Sequence, residues 1–144
     1  MNKAYVLCSV ILLMISCKIE PLYSTMDFEY SEKFPTLYQS FLWVYQEIEY
    51  EIDISDSWQF PSTTYKYKTG DCEDKATLFL QFAKDMGYDP SIVILQKYRS
   101  RHAVTKINGK YYDPTMLIWK SDKIEGYTMY EEIPYEEVKW RCDI

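Results

Sequence analysis

The dipeptide Asn108–Gly109 constrains the fold of this chain more than any other feature of its sequence. It favours a two-residue hairpin turn, and the residues on both sides read as two short strands. Such a turn makes the strands antiparallel neighbours and fixes their pairing, which sets Asp113 opposite Val104. His102 lies two residues from Val104 on the same face, at a diagonal distance that side chains can span. Spacing alone therefore predicts that His102 and Asp113 meet.

Cys72 stands where a polar, turn-rich segment gives way to an amphipathic helical pattern. Asp71 is a favourable N-cap, Asp74 occupies the capping-box position, and Gly87 is a natural C′ residue. The apolar face of the predicted helix consists of Ala76, Phe79, Leu80, Ala83 and Met86. In the first turn, Cys72 faces unpaired backbone N–H groups and the positive end of the helix dipole, which favour thiolate over thiol. We therefore predict a reactive cysteine at a helix N-terminus.

Cys72, His102 and Asp113 together have the chemistry of a nucleophile, a general base and an orienting carboxylate. His102 is the only histidine in the chain. Each residue also has an ordinary structural interpretation, as a small buried side chain, a surface histidine or a turn-starting aspartate. Their spacing and flanking residues favour a catalytic triad when the three are taken together.

Residues 1–17 have the pattern of a signal peptide that directs export. Lys3 supplies a positive charge, and the uncharged, mostly apolar run that follows is short for a membrane-spanning helix. The run ends in Leu13-Met14-Ile15-Ser16-Cys17, which resembles a bacterial lipoprotein signal and predicts lipidation of Cys17. A plain secretory signal and an uncleaved anchor are the alternatives. We expect a lipoprotein anchored at the cell envelope.

Residues 18–30 show no periodicity and are predicted to form a tether, and residues 31–144 are predicted to form one domain. The sequence of 144 residues is 47% apolar and 26% charged, which is ordinary for a globular protein with one core. Its net charge is −6, whereas nucleic-acid-binding proteins normally carry a patch of basic residues, so we do not expect nucleic-acid binding. The same acidity argues against docking on anionic lipid, so we expect membrane contact through the lipid anchor only.

The four cysteines raise the question of a disulfide. Cys8 lies within the predicted signal peptide and Cys17 would be lipidated, which leaves Cys72 and Cys142 in the folded domain. A bond between these two would disable a nucleophile, and exported proteins do form disulfides. Cys142 lies near the end of the chain, where chains are usually loose, so we favour two thiols over a bond.

Periodicity predicts an α+β fold in which N-terminal helices pack on a small antiparallel β-sheet. An amphipathic helix is expected from Phe34 to Ile52, followed by a loop over Asp53–Thr69. After the cysteine helix, we expect a buried strand over Ser91–Tyr98, a turn at Arg99–Arg101, the hairpin, a strand at Met116–Trp119 and a short element at Ile133–Val138. The 15 tyrosines suit half-exposed strands or a groove for an extended peptide.

Three motifs of the sequence resemble the transglutaminase-like superfamily of papain-like cysteine enzymes. They are Gly70-Asp71-Cys72-Glu73-Asp74 with Ala76, His102-Ala103-Val104, and Tyr111-Tyr112-Asp113-Pro114-Thr115. Trp58–Thr64 is similar to the segment before the cysteine in bacterial and archaeal members, and Trp43–Tyr50 is similar to their leading helix. The resemblance extends from about Leu42 to Thr115. It implies a papain/transglutaminase-like core of the bacterial cysteine peptidase type.

The resemblance also implies roles for individual residues. Cys72 would be the nucleophile, His102 the general base and acid, and Asp113 the carboxylate that orients the imidazole. The oxyanion would be held by the Cys72 backbone N–H and by one donor from Trp58 or Gln59, a choice that the sequence leaves open.

The activity that the resemblance implies is hydrolysis of an amide bond in a protein or peptide through a cysteine thioester, by a peptidase or amidase. A protein-glutamine transglutaminase, in which an amine replaces water, is the second enzymatic hypothesis. The third hypothesis is a non-catalytic surface lipoprotein that uses this fold for binding, with the tyrosines as its contact surface. An intact Cys, His and Asp argues for the enzymatic hypotheses.

Some bacterial periplasmic members of the family bind calcium beside the nucleophile, and Asp71 and Glu73 match their acidic positions. Without the resemblance, Asp71 is a helix cap and Glu73 is a favourable first-turn charge. We therefore predict no required metal or cofactor, and calcium at Asp71 and Glu73 stays open as an alternative.

Overall fold

A computed structural model describes residues 33–55 and 57–142 of the chain. The predicted signal peptide, its lipidation residue Cys17 and the predicted tether lie outside the described residues. In the part that the structure describes, no helix is both long and apolar enough to cross a membrane.

The described chain contains helices and strands in mixed order. The helices are α1 (Leu37–Glu47), α2 (Pro61–Tyr67), α3 (Cys72–Asp85) and α4 (Tyr135–Arg141). The strands are β1 (Glu49–Tyr50), β2 (Thr69–Gly70), β3 (Pro90–Lys97), β4 (Ser100–Ile107), β5 (Lys110–Asp113), β6 (Ile118–Ser121) and β7 (Thr128–Pro134). Five strands form one antiparallel sheet in the order β6-β5-β4-β3-β7, whereas β1 and β2 form a short parallel pair. The predicted α+β fold is confirmed.

Helix α1 is shorter than the predicted helix from Phe34 to Ile52. The Thr36 hydroxyl accepts the backbone N–H of Gln39 at 3.2 Å and caps the helix N-terminus, and the chain becomes extended at Ile48. Strand β1 then pairs with β2, directly before the cysteine helix, and Ile52 is exposed. A pairing between distant residues ends this helix, and apolar periodicity contains no sign of it.

The prediction of a loop over Asp53–Thr69 was wrong in part, because this segment contains helix α2. Pro61 occupies the first turn of this helix, where its missing N–H is not needed. The Ser- and Thr-rich composition suggested a loop, whereas the proline marked a helix start.

Helix α3 is buried along almost its whole length, from Glu73 to Ala83. The backbone N–H of Asp71 donates to Oδ2 of Asp74 at 3.2 Å, which confirms the predicted role of Asp74 in the cap. Gly87 follows the helix with a φ of +85°, as expected of a C′ glycine. This helix is the element on which the rest of the fold packs.

The β4–β5 hairpin has the predicted register, with Thr105 opposite Tyr112. Asn108 and Gly109 have φ values of +50° and +75°, as a type I′ turn requires. The preceding turn lies at Tyr98–Arg99, slightly before its predicted position. The hairpin is thus the most accurately predicted part of the sheet.

The C-terminal elements differ from the prediction. The strand expected at Met116–Trp119 begins at Ile118, and the segment expected as one element at Ile133–Val138 is divided between β7 and α4. Strand β7 lies at the edge of the sheet against β3, with a bulge between Ile94 and Leu95.

Apolar clusters lie on both faces of the sheet. On one face, α3 packs on β3 and β4, and the Thr105 hydroxyl donates to the Ala76 carbonyl at 2.9 Å. On the other face, Ile124 covers Val93, Leu95 and Val104. The N-terminus of α3 therefore lies against the sheet at the strand that carries His102.

Candidate active site

His102 and Asp113 form a buried pair at the end of the hairpin away from its turn. Nε2 of His102 lies 2.6 Å from Oδ2 of Asp113, and the two side chains are 10% and 0% exposed. The other carboxylate oxygen, Oδ1, accepts the backbone N–H groups of Thr115 and Met116 at 2.9 and 3.0 Å. The contact predicted from spacing is confirmed. It leaves Nδ1 of His102 without a hydrogen-bond partner among the described residues.

Cys72 is the first residue of α3 and is half-buried, and its thiol donates to Oε2 of Glu73 at 2.9 Å. Burial is the largest influence that raises the pKa of this thiol, followed by the hydrogen bond to Glu73, and the charges of Glu73 and Asp71 add to the rise. A backbone hydrogen bond from Ala103 acts in the opposite direction. This direction is opposite to the predicted preference for thiolate, because burial and two adjacent carboxylates favour the thiol.

One open cavity has both Cys72 and His102 in its lining. Trp58 forms another part of the wall, together with Ile94 and Ala103 of the sheet. The thiol of Cys72 donates to Glu73 and not to His102. The structure thus brings the three predicted residues to one site, while a direct hydrogen bond between their side chains joins only His102 and Asp113.

Trp58 and Gln59, the alternative oxyanion donors, have different surroundings. The side-chain amide of Gln59 donates to Oδ2 of Asp74 at 3.0 Å, and its backbone N–H donates to Oδ1 of Asp74 at 2.7 Å. Gln59 lines a separate depression beside Ile52, whereas Trp58 lines the cavity of Cys72. Trp58 is therefore the side chain next to the predicted nucleophile. Gln59 instead holds the chain segment before α2 against α3 through its hydrogen bonds to Asp74.

Acidic residues flank the thiol on both sides. Oδ1 of Asp71 is buried and has no hydrogen-bond partner within the described residues. Burial raises the pKa of Glu73 to about 7 and the pKa of Asp74 to about 6. Ligand atoms of Asp71, Cys72 and Glu73, one from each, lie within 4.8 Å of one another. Because carboxylate oxygens are preferred ligands of Ca²⁺, Asp71 and Glu73 have the chemistry to hold a cation.

Cys72 and Cys142 are not joined by a disulfide, in agreement with the prediction. Cys142 is buried in the apolar cluster between α3 and the sheet, and Cys72 packs against the same cluster. The predicted nucleophile is therefore present as a thiol in this structure.

Comparison with solved structures identifies the fold, whereas no family model and no curated protein matches the chain. A protein from Cytophaga hutchinsonii, proposed to be a cysteine protease, matches with a TM-score of 0.56 and 18% identity over 78% of this chain and 42% of that protein. LapG from Legionella pneumophila matches with a TM-score of 0.56 and 17% identity over 76% of this chain and 70% of LapG. The chain has the fold of the transglutaminase-like cysteine peptidases.

A second LapG structure, of EGTA-treated protein, matches this transglutaminase-like fold with a TM-score of 0.57 and 17% identity over 76% of this chain and 68% of LapG. The chain spans less than half the length of the Cytophaga protein. At these identities the likeness concerns the fold. It confirms the papain/transglutaminase-like core that the sequence motifs implied.

Two side chains of this cavity have contacts or positions that the sequence did not predict. Glu73 was interpreted as a first-turn charge or a calcium ligand, and its hydrogen bond with the Cys72 thiol was not anticipated. Arg101 was assigned to a turn, although it lies in β4 and lines the cavity. Strand alternation was the available signal, because it places Arg101 on the same face as Ala103, towards α3.

Proposed function

We propose that the chain is an exported cysteine peptidase or amidase that hydrolyses an amide bond of a protein or peptide. The observation that carries the proposal is the buried His102–Asp113 pair, whose histidine lines the same cavity as Cys72 at a helix N-terminus. The transglutaminase-like cysteine peptidase fold supports it.

In the proposed reaction, Sγ of Cys72 attacks the carbonyl carbon of the substrate while its proton passes to Nδ1 of His102. The tetrahedral intermediate collapses, the C–N bond breaks, and His102 gives the proton to the leaving amine. Water then attacks the thioester and gives a proton to His102, and the C–S bond breaks to release a carboxylic acid and the reprotonated thiol. Asp113 stabilises the imidazolium and holds its orientation.

This reaction requires the Cys72 thiol to leave its hydrogen bond with Glu73 and turn towards His102. A rotation about the Cα–Cβ bond of Cys72 exchanges staggered positions of Sγ without moving the helix. We assign the developing oxyanion to the backbone N–H of Cys72, which is unpaired at the first turn of α3, and to the indole N–H of Trp58.

Calcium is a candidate cofactor of the proposed enzyme, with Asp71 and Glu73 as its protein ligands. The buried, unpartnered Oδ1 of Asp71 fits an oxygen-preferring cation. A bound cation would neutralise the two carboxylates that raise the pKa of the Cys72 thiol. The EGTA treatment of one LapG structure supports the idea by analogy, since EGTA chelates calcium.

The test is labelling of Cys72 with iodoacetamide, resolved by mass spectrometry, followed by a peptide-library cleavage assay in buffers with calcium and with EGTA. We expect new peptide termini that Cys72→Ala abolishes and His102→Ala strongly reduces. Cys142→Ala, after a check of its folding, controls for the loss of a thiol. Cleavage that persists in Cys72→Ala would contradict the proposal, and so would a Cys72 that stays unlabelled in both buffers.

The same assay separates the other hypotheses. A labelled primary amine is incorporated into a glutamine peptide if the protein is a transglutaminase, whereas hydrolysis releases ammonia. Peptide binding that is equal in wild type and Cys72→Ala, without turnover in either, would indicate a binding module.

Export and lipidation complete the proposal, on the basis of the pattern in residues 1–17. In a bacterial host, Cys17→Ser is expected to move the protein from the membrane fraction to the soluble fraction. Unchanged fractionation of this variant would contradict a lipid anchor at Cys17.

A further inference from the structure

Arg101 stands in the lining of the cavity beside the proposed nucleophile. It directly precedes His102 in β4 and shares a strand face with Ala103, whose backbone contacts Cys72. The residue is exposed, so its charge is accessible to a molecule that enters from solvent.

The guanidinium of Arg101 has no carboxylate partner among the described residues. Its Cζ lies 4.0 Å from the ring centroid of Tyr130 in β7. A planar guanidinium can stack on an aromatic ring and still present N–H groups at its edge to an anion. The ring therefore orients this cation and leaves its donors available.

The other charges of the cavity are already engaged. Arg141 is paired with Glu131, and Glu73 accepts the thiol of Cys72. The chain as a whole has a net charge of −6, which repels acidic molecules at long range. Arg101 is thus the cation of this cavity that an incoming anion can neutralise.

We infer that Arg101 binds a carboxylate of the peptide substrate close to the scissile bond, so that the enzyme selects acidic peptides. The inference rests on the proposed function and names the substrate class of that same site. Carboxylate is the matching group because two parallel N–H···O bonds can form between it and a guanidinium. It can belong to an Asp or Glu side chain, or to a free C-terminus beside the bond.

The first test needs no turnover. It compares the rates at which Cys72 of the full chain is alkylated by iodoacetate, which carries a carboxylate, and by neutral iodoacetamide. Arg101→Gln is expected to lower the iodoacetate/iodoacetamide ratio by about two- to fivefold, as suits an exposed ion pair. Arg101→Lys is expected to lower it less, because it keeps the charge and loses the planar fork.

The matched control is Arg99→Gln, which removes the same charge two residues away, outside the lining of this cavity. It is expected to leave the ratio unchanged. An unchanged ratio in Arg101→Gln, or an equal fall in Arg99→Gln, would overturn the inference.

The second test distinguishes the two sources of the carboxylate. Acetylated hexapeptides carry Glu or its isostere Gln at each position in turn, with a free or an amidated C-terminus. A preference in kcat/KM for Glu at one position, abolished by Arg101→Gln, assigns a side-chain carboxylate, and a preference for the free C-terminus assigns a terminal one.

The two tests separate this inference from the proposed function. Cleavage that depends on Cys72 but shows neither preference would overturn the inference and leave the proposed function intact. A lowered alkylation ratio in Arg101→Gln without cleavage of any peptide would support the anion site and contradict the proposed hydrolysis.

Discussion

The carboxylate of Asp113 serves two parts of the molecule at once. One oxygen contacts Nε2 of His102, and the other accepts two backbone N–H groups of the turn that follows β5. Because the side chain is fully buried, these donors replace its lost hydration. The orientation of the imidazole is therefore tied to the conformation of that turn.

Asp113→Asn is expected to lower kcat/KM by more than about 100-fold, because a neutral amide stabilises the imidazolium far less than a carboxylate does. The amide oxygen can still accept from the turn, so circular dichroism is expected to show a folded protein. Asp89→Asn is the control, since the side chain of Asp89 is 96% exposed. A loss in Asp113→Asn no greater than in the control would contradict the triad.

Glu73→Gln is expected to accelerate alkylation of Cys72 in EGTA-containing buffer and to move its pH profile to lower pH. The substitution removes a negative charge that raises the pKa of the thiol, and a lower pKa means more thiolate at a given pH below it. The rate constant with iodoacetamide, measured from acidic to alkaline pH, checks this. The control is Glu137→Gln, at an exposed position of α4, which should leave the pH profile of alkylation unchanged. An unchanged profile in Glu73→Gln would contradict a role for Glu73 in raising the pKa of the thiol.

At the scale of elements, the N-terminus of α3 is held by close packing as well as by its cap. A Cβ added at Gly70 would lie 2.6 Å from Cβ and 2.9 Å from Oδ2 of Asp74. Asp74 in turn accepts from Asp71 and Gln59, so it has little room to give way. This fold therefore favours glycine at position 70, because a side chain there would clash with Asp74.

Gly70→Ala is expected to destabilise the protein by about 1–3 kcal/mol, the usual cost of overpacking, and to change the alkylation rate of Cys72. Gly87→Ala, at the other end of α3, meets no atom within 4 Å and is strained only by its φ of +85°, at about 1–2 kcal/mol. Urea unfolding and labelling of Cys72 are measured together. If both variants lose stability but neither alters the labelling, Gly70 does not position the thiol.

At the scale of the whole molecule, the sheet is a layer with buried apolar residues on both faces. Helix α3 covers one face, and the buried side chain of Ile124 closes the other against Val93, Leu95 and Val104. Ile124 comes from the segment between β6 and β7, outside regular structure. Ile124 thus completes the cluster on this face together with the partly buried Tyr111, Ile118 and Tyr127.

Ile124→Ala is expected to lower the free energy of unfolding by about 2–4 kcal/mol, through lost burial and the cavity that remains. The matched control is Ile54→Ala, which removes the same atoms from a fully exposed position and is expected to change stability by less than about 0.5 kcal/mol. Chemical denaturation measures both. If the two substitutions lower the free energy of unfolding equally, the cluster around Ile124 does not contribute to stability as a packed core.

Local signals in the sequence were sufficient for the parts of the site that lie close together in the chain. The turn at Asn108–Gly109 determines the β4–β5 register, and with it the contact between His102 and Asp113. The cap likewise joins two residues, Asp71 and Asp74, that are only three positions apart in the chain. Both depend on short-range stereochemistry, which a single sequence expresses directly.

Features that depend on distant partners were not predictable in the same way. Strand β1 forms only because β2 lies beside it, and the apolar period of α1 continued past the point where that pairing ends the helix. In β7, Glu131 and Glu132 obscure the strand pattern, because at a sheet edge their side chains bond to Arg141 and Lys106 instead of being buried. The burial that raises the thiol pKa likewise depends on the packing of the whole chain.

The carboxylate of Asp74 has a consequence for the motion of the site. It accepts the backbone N–H of Gln59, which lies outside regular secondary structure, as well as the backbone N–H of Asp71 before the most buried helix. An amide in such an irregular segment ordinarily exchanges its hydrogen with solvent quickly, through small local openings. Here the Gln59 amide is hydrogen-bonded to an acceptor on α3, which ties the segment to that helix. Its hydrogen-exchange lifetime should therefore follow that of Asp71, so that Trp58 and Cys72 open and close as parts of one cooperative unit.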